Sequence, residues 1–499
     1  VLKYGAAVAE DDHNVGDASI QTVAQYKLTS IVHFIDAQNR SEKTPIMVAT
    51  DLKYWDIVLY LLSQDAAPTS SDFAGGTLLH IAAKHGQVSV IDKILSDGRV
   101  DKQVAINFKD QLGYTPFLLA MKYQHLAAAI ALLKYGADIT IKSEVCHEIA
   151  LHYAVERPWI ELATTLIEMA VDPSYINTQD LILRTPLHRT IIKYLVSRGS
   201  NIVSMVDILI RNGADQAIRD QNHCTALHYG ALSLMVDIVQ ILAESAKPGD
   251  IDAQNANGQS PLHLTIIAST TSSGEGDRAA IVTILLDSDA DPSLPDNHGW
   301  TSLHYAAKAL SVDIAQILVN CPKPVNINAK DCDGRTPLHL AILASALSGH
   351  SNQVAMVKFL MNKGADPTLP DNFGRTPLHY TANFHSRRIV WQNGATVEIA
   401  EILLDVDDRT DIDAKDVDGR TALHLAMHGF GHEADRDLMV RYLLSKGANR
   451  ALRDHSRISA LGLAQKYGHK KTLAVLRETN GPFYKVFPVL LHMFDDKVF

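Results

Sequence analysis

The chain has 499 residues, with 46 Lys and Arg against 56 Asp and Glu for a net charge of -10. An acidic balance spread over that length does not build the basic footprint that phosphate backbones require, so nucleic acid is excluded as the main partner. The four cysteines (Cys146, Cys224, Cys321, Cys332) form no Cys-x-x-Cys pair and have no regular spacing, which argues against a disulfide framework or a structural zinc site and suits a reducing, cytoplasmic compartment.

The first residue is Val1 and no secretory n-region and h-region follow it, which points to a processing site or an artificial boundary. The run Leu2-Lys3-Tyr4-Gly5-Ala6 returns as Leu133-Lys134-Tyr135-Gly136-Ala137, so 1–12 reads as the end of a truncated repeat, with further repeats expected upstream. From there one hexapeptide organises the chain. It starts at Thr44, Thr77, Thr115, Ile149, Thr185, Thr225, Ser260, Thr301, Thr336, Thr376, Thr421 and Ser459, about 38 residues apart on average. Thr336-Pro337-Leu338-His339-Leu340-Ala341 and Thr376-Pro377-Leu378-His379-Tyr380-Thr381 are its fullest copies. Thr or Ser caps a helix and Pro at the next position has a helical φ, so each copy predicts where a first helix starts. Apolar residues at helical spacing, as at Ile314, Ile317 and Leu318, predict a second helix. Gly136, Gly213, Gly364 and Gly447 are predicted to close such second helices in the left-handed conformation.

A longer period lies over the first. Asp291-Pro292-Ser293-Leu294-Pro295-Asp296-Asn297 returns as Asp366-Pro367-Thr368-Leu369-Pro370-Asp371-Asn372, and Ile251-Asp252-Ala253-Gln254 as Ile327-Asn328-Ala329-Lys330. The residue after the motif histidine alternates in step: Tyr229, Leu264, Tyr305, Leu340, Tyr380, Leu425. The units starting at 185, 260, 336, 376 and 421 carry extra residues between the two helices, and the Ser/Thr/Gly stretch 269–276 is too polar to pack. No stretch reaches the 18 apolar residues of a membrane span; 126–133 and 483–494 are too short. The array is expected to end near 478, leaving 479–499 as an apolar tail or the start of a further domain.

The repeated Thr-Pro-Leu-His-x-Ala signature resembles that of the ankyrin repeat family over nearly the whole chain. The resemblance implies an all-α solenoid of about thirteen units, counting a degenerate one within 13–43, with a β-hairpin finger before each motif and the array at 13–478. It also implies that His80, His152, His188, His228, His263, His304, His339, His379 and His424 make structural hydrogen bonds rather than chemistry. Partners of such proteins contact finger tips and the exposed face of the first helix, which singles out Tyr114, Arg184, Trp300, Arg335, Arg375 and Arg420 just before the motifs. A finger arginine can equally serve a neighbouring aspartate such as Asp333 or Asp418. Tyr153, Tyr229, Tyr305 and Tyr380 either hold a partner peptide or pack on the adjacent first helix. Finger aspartates such as Asp220, Asp296, Asp331, Asp371 and Asp416 favour a partner with basic segments.

Other chemistry finds little support. His428 and His432 could ligate a metal only from a helix, which Gly429 and Gly431 oppose. Cys146-His147 and His223-Cys224 are sequence neighbours, not a nucleophile and base brought together by a fold. No phosphate-loop, nucleophile-elbow or zinc-protease motif occurs. No cofactor, metal or catalytic residue is therefore assigned. The leading expectation is a non-catalytic protein-interaction scaffold. Its alternatives are the repeat arm of a larger effector, toxin or channel-like protein, secreted or host-delivered forms included, and an enzyme whose catalytic domain lies elsewhere.

Overall fold

The structure, a computed structural model, describes residues 35–39, 43–68, 76–157, 159–196, 201–268, 275–344, 350–383, 395–405, 410–428 and 433–477. The truncated repeat at 1–12, most of the 13–43 unit, the core of the 269–276 stretch, the glycines beside His432 and the 479–499 tail lie outside them. The chain divides into two compact units, Val1–Tyr229 and Gly230–Phe499.

Within the first unit the helices follow in pairs: Pro45–Asp51 and Trp55–Ser63, Leu78–Lys84 and Val88–Ser96, Pro116–Lys122 and Leu126–Lys134, Ala150–Glu156 and Ile160–Met169, Pro186–Val196 and Asn201–Arg211. A short helix Lys102–Asn107 and a 3-10 turn Pro173–Asn177 join some of them. Ala226–Ser233 spans the division. The second unit then runs Val236–Ser245, Pro261–Ile267 and Glu275–Asp287, Ser302–Ala309 and Val312–Asn320, Pro337–Leu343 and His350–Asn362, Pro377–Ala382 and Ala395–Asp405, Ala422–His428 and Glu433–Ser445, Ala460–Lys466 and Lys470–Arg477. Inside each unit first helices pack on first helices and second on second, as Leu78–Lys84 does on Pro116–Lys122 and Ser302–Ala309 on Pro337–Leu343. Among the described residues β pairing is limited to isolated bridges, one between Arg453 and Ser459 and another at Thr77, so the expected hairpins are present as tight turns without strands.

The motif accounts for these packings residue by residue. The side chain two places after the motif start, Ile46, Leu79, Phe117, Leu151, Leu187, Leu227, Leu262, Leu303, Leu338, Leu378 or Leu423, is buried, and only that of the last motif, Leu461, is half-buried. Each such burial contributes about 2 kcal/mol. The motif histidine Nδ1 accepts the backbone N–H of the capping Thr or Ser at 3.0–3.3 Å, as at Thr77, Thr185, Thr225, Ser260, Thr301, Thr336, Thr376 and Thr421. Because an N–H can only donate, Nδ1 is unprotonated and the proton sits on Nε2. Nε2 then donates to a carbonyl of the following unit: His80 to Tyr114, His152 to Arg184, His188 to Cys224, His304 to Arg335, His339 to Arg375, His379 to Arg420. One neutral ring thus caps its own helix and joins two repeats.

The two-repeat period has a structural cause. In alternate connections an Asn or Asp side chain accepts a backbone N–H of the next repeat. In the first unit Asp36 takes that of Ala67, Asn107 that of Asp138 and Asn177 that of Asp215. In the second unit Asp252 takes that of Asp291, Asn328 that of Asp366 and Asp413 that of Asn449, all near 2.9 Å. The intervening second helices close on Gly136, Gly213, Gly364 and Gly447, whose φ values of 90°, 91°, 92° and 98° are the left-handed ones expected.

The long units solve a different problem. In short ones the residue before the second helix donates its N–H back to the first helix, as Gln87 does to Ala82, His125 to Ala120 and Ser311 to Ala306. An enlarged turn cannot reach. Its second helix instead begins a turn earlier, at Glu275 and His350, and a buried side chain reaches back: Arg278 donates to the Ala268 carbonyl at 2.5 Å, and Gln353 to those of Ala341 and Ile342 at 3.1 and 2.8 Å.

Candidate protein-interaction surface

The turn before most motifs is a five-residue loop held by its first residue, the one before Ile149 being opened by Ser143 instead. Asp110, Asp180, Asp220, Asn255, Asp296, Asp331, Asp371 and Asp416 each accept with Oδ1 the backbone N–H groups two and four residues on, at 2.7–3.0 Å. This is the Asx turn that a short carboxylate or amide favours. Neighbouring turns are tied by one backbone bond each. In the first unit Glu144 donates to Leu112, Leu181 to Cys146 and Gln221 to Ile182. In the second, Asn297 donates to Asn257, Cys332 to His298, Asn372 to Asp333, Val417 to Phe373 and His455 to Asp418. The approach is so close that a Cβ on Gly334 would lie 2.8 Å from the Asn372 nitrogen, which is why Gly occupies that position.

The second carboxylate oxygen decides where the singled-out aromatics and arginines go. Tyr229 donates its hydroxyl to Asp220 at 2.5 Å, Tyr305 to Asp296 at 2.6 Å and Tyr380 to Asp371 at 2.5 Å, while Tyr153 donates to Glu148. Burial and the adjacent carboxylate push Tyr229 and Tyr380 up to about 12. Their rings stand edge-on to the preceding motif histidine, Tyr229 on His188 and Tyr380 on His339, so they pack on the adjacent first helix. In the leucine repeats no hydroxyl is available and cationic or indole donors take the oxygen. Arg420 bonds Asp416 through Nε at 3.0 Å and pairs with Asp418, Arg335 pairs with Asp333, and Trp300 donates Nε1 to Asp331 at 3.1 Å. Arg184 and Arg375 lie 3.7 Å from Asp220 and Asp416.

Three expectations are corrected by this geometry. Tyr114 is not at a tip: it is 2% exposed, with Lys122 donating to its hydroxyl. Trp300 is half-buried, tied to the next turn and packed on Tyr305. Asp220, Asp296, Asp331, Asp371 and Asp416 are buried and already hold their turns, so they are not a free acidic field for a basic partner. What the tips do expose was missed in the sequence. In the first unit Leu112, Val145, Leu181 and Leu183 are half-exposed on three successive turns. In the second, Phe373 and Val417 are half-exposed on turns joined backbone to backbone, with Cys332 exposed on the turn before them.

A second missed residue is Arg189, which stands where its neighbours carry Tyr. It bonds Glu148 and Glu156 at 2.5 Å each and Asp180 at 2.7 Å. Burial alone pulls the guanidinium down, but these carboxylates outweigh it and hold it above its ordinary pKa. Among the described residues no three His, Cys, Asp or Glu side chains converge as a metal site, and no helix is long and apolar enough to cross a membrane.

A family profile described as "Ankyrin repeats (3 copies)" matches residues 46–143, 192–296, 271–371, 323–392, 343–449 and 387–485, more than half of the chain. The chain belongs to the ankyrin repeat family. Relatives include the E3 ubiquitin-protein ligase KEG of Arabidopsis thaliana, 25% identical over 62% of this chain and 18% of that protein. The transient receptor potential cation channel subfamily A member 1 of Homo sapiens is 26% identical over 88% of this chain and 39% of the channel. Inversin of Homo sapiens is 29% identical over 54% of this chain and 21% of that protein. The chain therefore spans well under half the length of these relatives. Among solved structures, the ankyrin repeat domain of Bcl-3 is similar over 52% of this chain and all of its own, with 24% identity and a TM-score of 0.41.

Proposed function

We propose that this chain is a non-catalytic, intracellular scaffold that binds protein partners through its finger turns. The observation that carries this reading is the split of several turns into a root whose polar groups are bonded internally and a tip that shows an exposed apolar side chain, as at Leu112, Val145, Leu181, Phe373 and Val417. Roots of that kind lose little ordering entropy when a partner arrives. Arg184, Tyr229, Trp300, Tyr305, Arg335, Arg375, Tyr380 and Arg420 then act as the rigid floor beneath the tips. The test is pull-down of partners by the wild-type chain beside Leu112→Ser/Val145→Ser/Leu181→Ser and Phe373→Ser/Val417→Ser. Each set of captured proteins is expected to be lost with one variant while helix content and melting are unchanged. Capture of the same set by both variants would overturn the tip reading.

A second reading, that the chain is the repeat arm of a larger protein, is supported by the small share of the ligase and the channel that it matches. Catalysis or conduction would then belong to other domains.

A further inference from the structure

The far ends of the first helices, away from the fingers, carry a different surface in the first unit. Four successive helix-to-helix turns place Lys53, Lys84, Lys122 and Arg157 there, beside His85 and His125 and the rings of Tyr54, Trp55 and Tyr123. They are contiguous. Trp55 packs on His85 with ring centroids 5.6 Å apart, Lys84 lies 5.2 Å over the Tyr123 ring, and a Cβ on Gly86 would touch His125. Arg157 reaches the Gln124 amide oxygen at 2.7 Å in the orientation its hydrogen bonds require.

Among the described residues none of these four cations has a carboxylate within ion-pair distance, and Lys122 alone of them is held by a hydroxyl, that of Tyr114 at 2.7 Å. The acids nearest in sequence are engaged elsewhere or set back: Lys43 holds Asp51, Arg189 holds Glu156, and Asp56 and Glu161 lie in the first turns of the second helices. The C-terminal dipole of each first helix meets the N-terminal dipole of its partner at the same turn, so the two largely cancel and the side-chain charge remains. His85 senses that charge. Burial first, then Lys53, Lys84 and His125, hold it below its ordinary pKa. A cationic line on a chain of net charge -10 is a local inversion of the molecule's own sign.

We infer that this edge binds an acidic, extended polypeptide segment whose carboxylates meet Lys53, Lys84 and Arg157 while apolar side chains between them lie on the Tyr54, Trp55 and Tyr123 rings. A chain fits better than a plane because the cations and rings form a line one turn wide. Neighbouring helices pack about 10 Å apart, so three repeat steps span about 30 Å, the length of about nine extended residues with an acid at every third position. This inference does not depend on the finger tips, which lie at the other end of the same helices.

The experiment is fluorescence anisotropy with the full chain and a labelled synthetic peptide of about twelve residues, with Glu at every third position and Leu and Phe between. The expected result is binding that weakens steeply with salt. It should fall about tenfold or more in Lys53→Gln/Lys84→Gln, two exposed positions whose change leaves the fold intact. Equal binding of that variant, of a peptide with Lys in place of Glu, or of a peptide half as long would each overturn the proposal. Sedimentation with phosphatidylserine vesicles that the peptide does not compete away would overturn it in favour of a lipid surface. The Leu112→Ser/Val145→Ser/Leu181→Ser variant is expected to bind the peptide as the wild type does, which separates failure of this edge from failure of the fingers.

Discussion

Arg189 shows how much one residue can alter a repeated position. In the two neighbouring units the place after the motif histidine holds Tyr153 and Tyr229, each satisfied by one carboxylate, whereas Arg189 gathers Glu148, Glu156 and Asp180. The Asp180 side chain is almost wholly buried and Glu148 nearly so. Removing the cation leaves those charges without compensation, a loss of about 3–5 kcal/mol for a buried pair. Arg189→Met is therefore expected to lower unfolding stability in urea at neutral pH by about that amount. A deficit under about 1 kcal/mol would show that the cluster is solvated and weak. The alternation of Tyr and Leu was legible in the sequence because it repeats. The role of each Tyr was not, since its Asp or Glu partner sits five to nine residues earlier and only the closed turn brings the two together.

At the scale of an element, the glycines separate two demands that sequence alone merges. Gly364 ends a second helix at φ 92° with nothing within 4 Å of a would-be Cβ, so its requirement is conformational only. Gly334 sits in a turn at φ 76° and faces Asn372, whose Oδ1 and backbone nitrogen would lie 2.4 and 2.8 Å from that Cβ. Gly364→Ala is expected to cost about 1 kcal/mol, the strain of a left-handed alanine. Gly334→Ala adds displacement of the Asn372 backbone, which bonds Asp333, and is expected to cost clearly more and to raise hydrogen exchange at Asn372. Equal costs in denaturant titrations would mean that the neighbouring turn yields freely. Helix starts were legible because Thr-Pro and the buried Leu recur at fixed offsets. The back-bonding of Arg278 and Gln353 was not, because a long polar residue in an amphipathic helix reads as surface until the enlarged turn is seen. The exposed tips escaped for the converse reason: Leu181 or Val417 in a turn reads as an ordinary apolar residue.

For the molecule as a whole the repeated histidine becomes a collective property. His152, His263 and His339 are brought down to about 4, and His188, His304, His379 and His424 are lowered too, in every case first by burial. Geometry demands the same state, since a protonated Nδ1 would face the donor N–H it now accepts. Folded rings stay neutral where unfolded ones, with pKa about 6.5, already bind protons. Stability is then complete above about pH 6.5 and falls as pH drops toward 4, each ring contributing a slope of about 1.4 kcal/mol per pH unit. Asp416 is lowered too, but because its charged form is favoured: burial raises it, and the bonds from Arg420 outweigh that and hold it below its usual range. Its contribution is lost only below about pH 4, so the two windows are distinct. Both units carry rings held in this way, His80, His152, His188 and His228 in the first and His263, His304, His339, His379 and His424 in the second. Hydrogen exchange followed by mass spectrometry, corrected for intrinsic rates, should therefore show protection lost on acidification in both Val1–Tyr229 and Gly230–Phe499 as the pH falls from about 6.5 toward 4. Protection kept unchanged down to pH 4, or a urea midpoint flat from pH 6.5 to about 5, would mean that the rings are charged in the fold and that another group sets the acid limit.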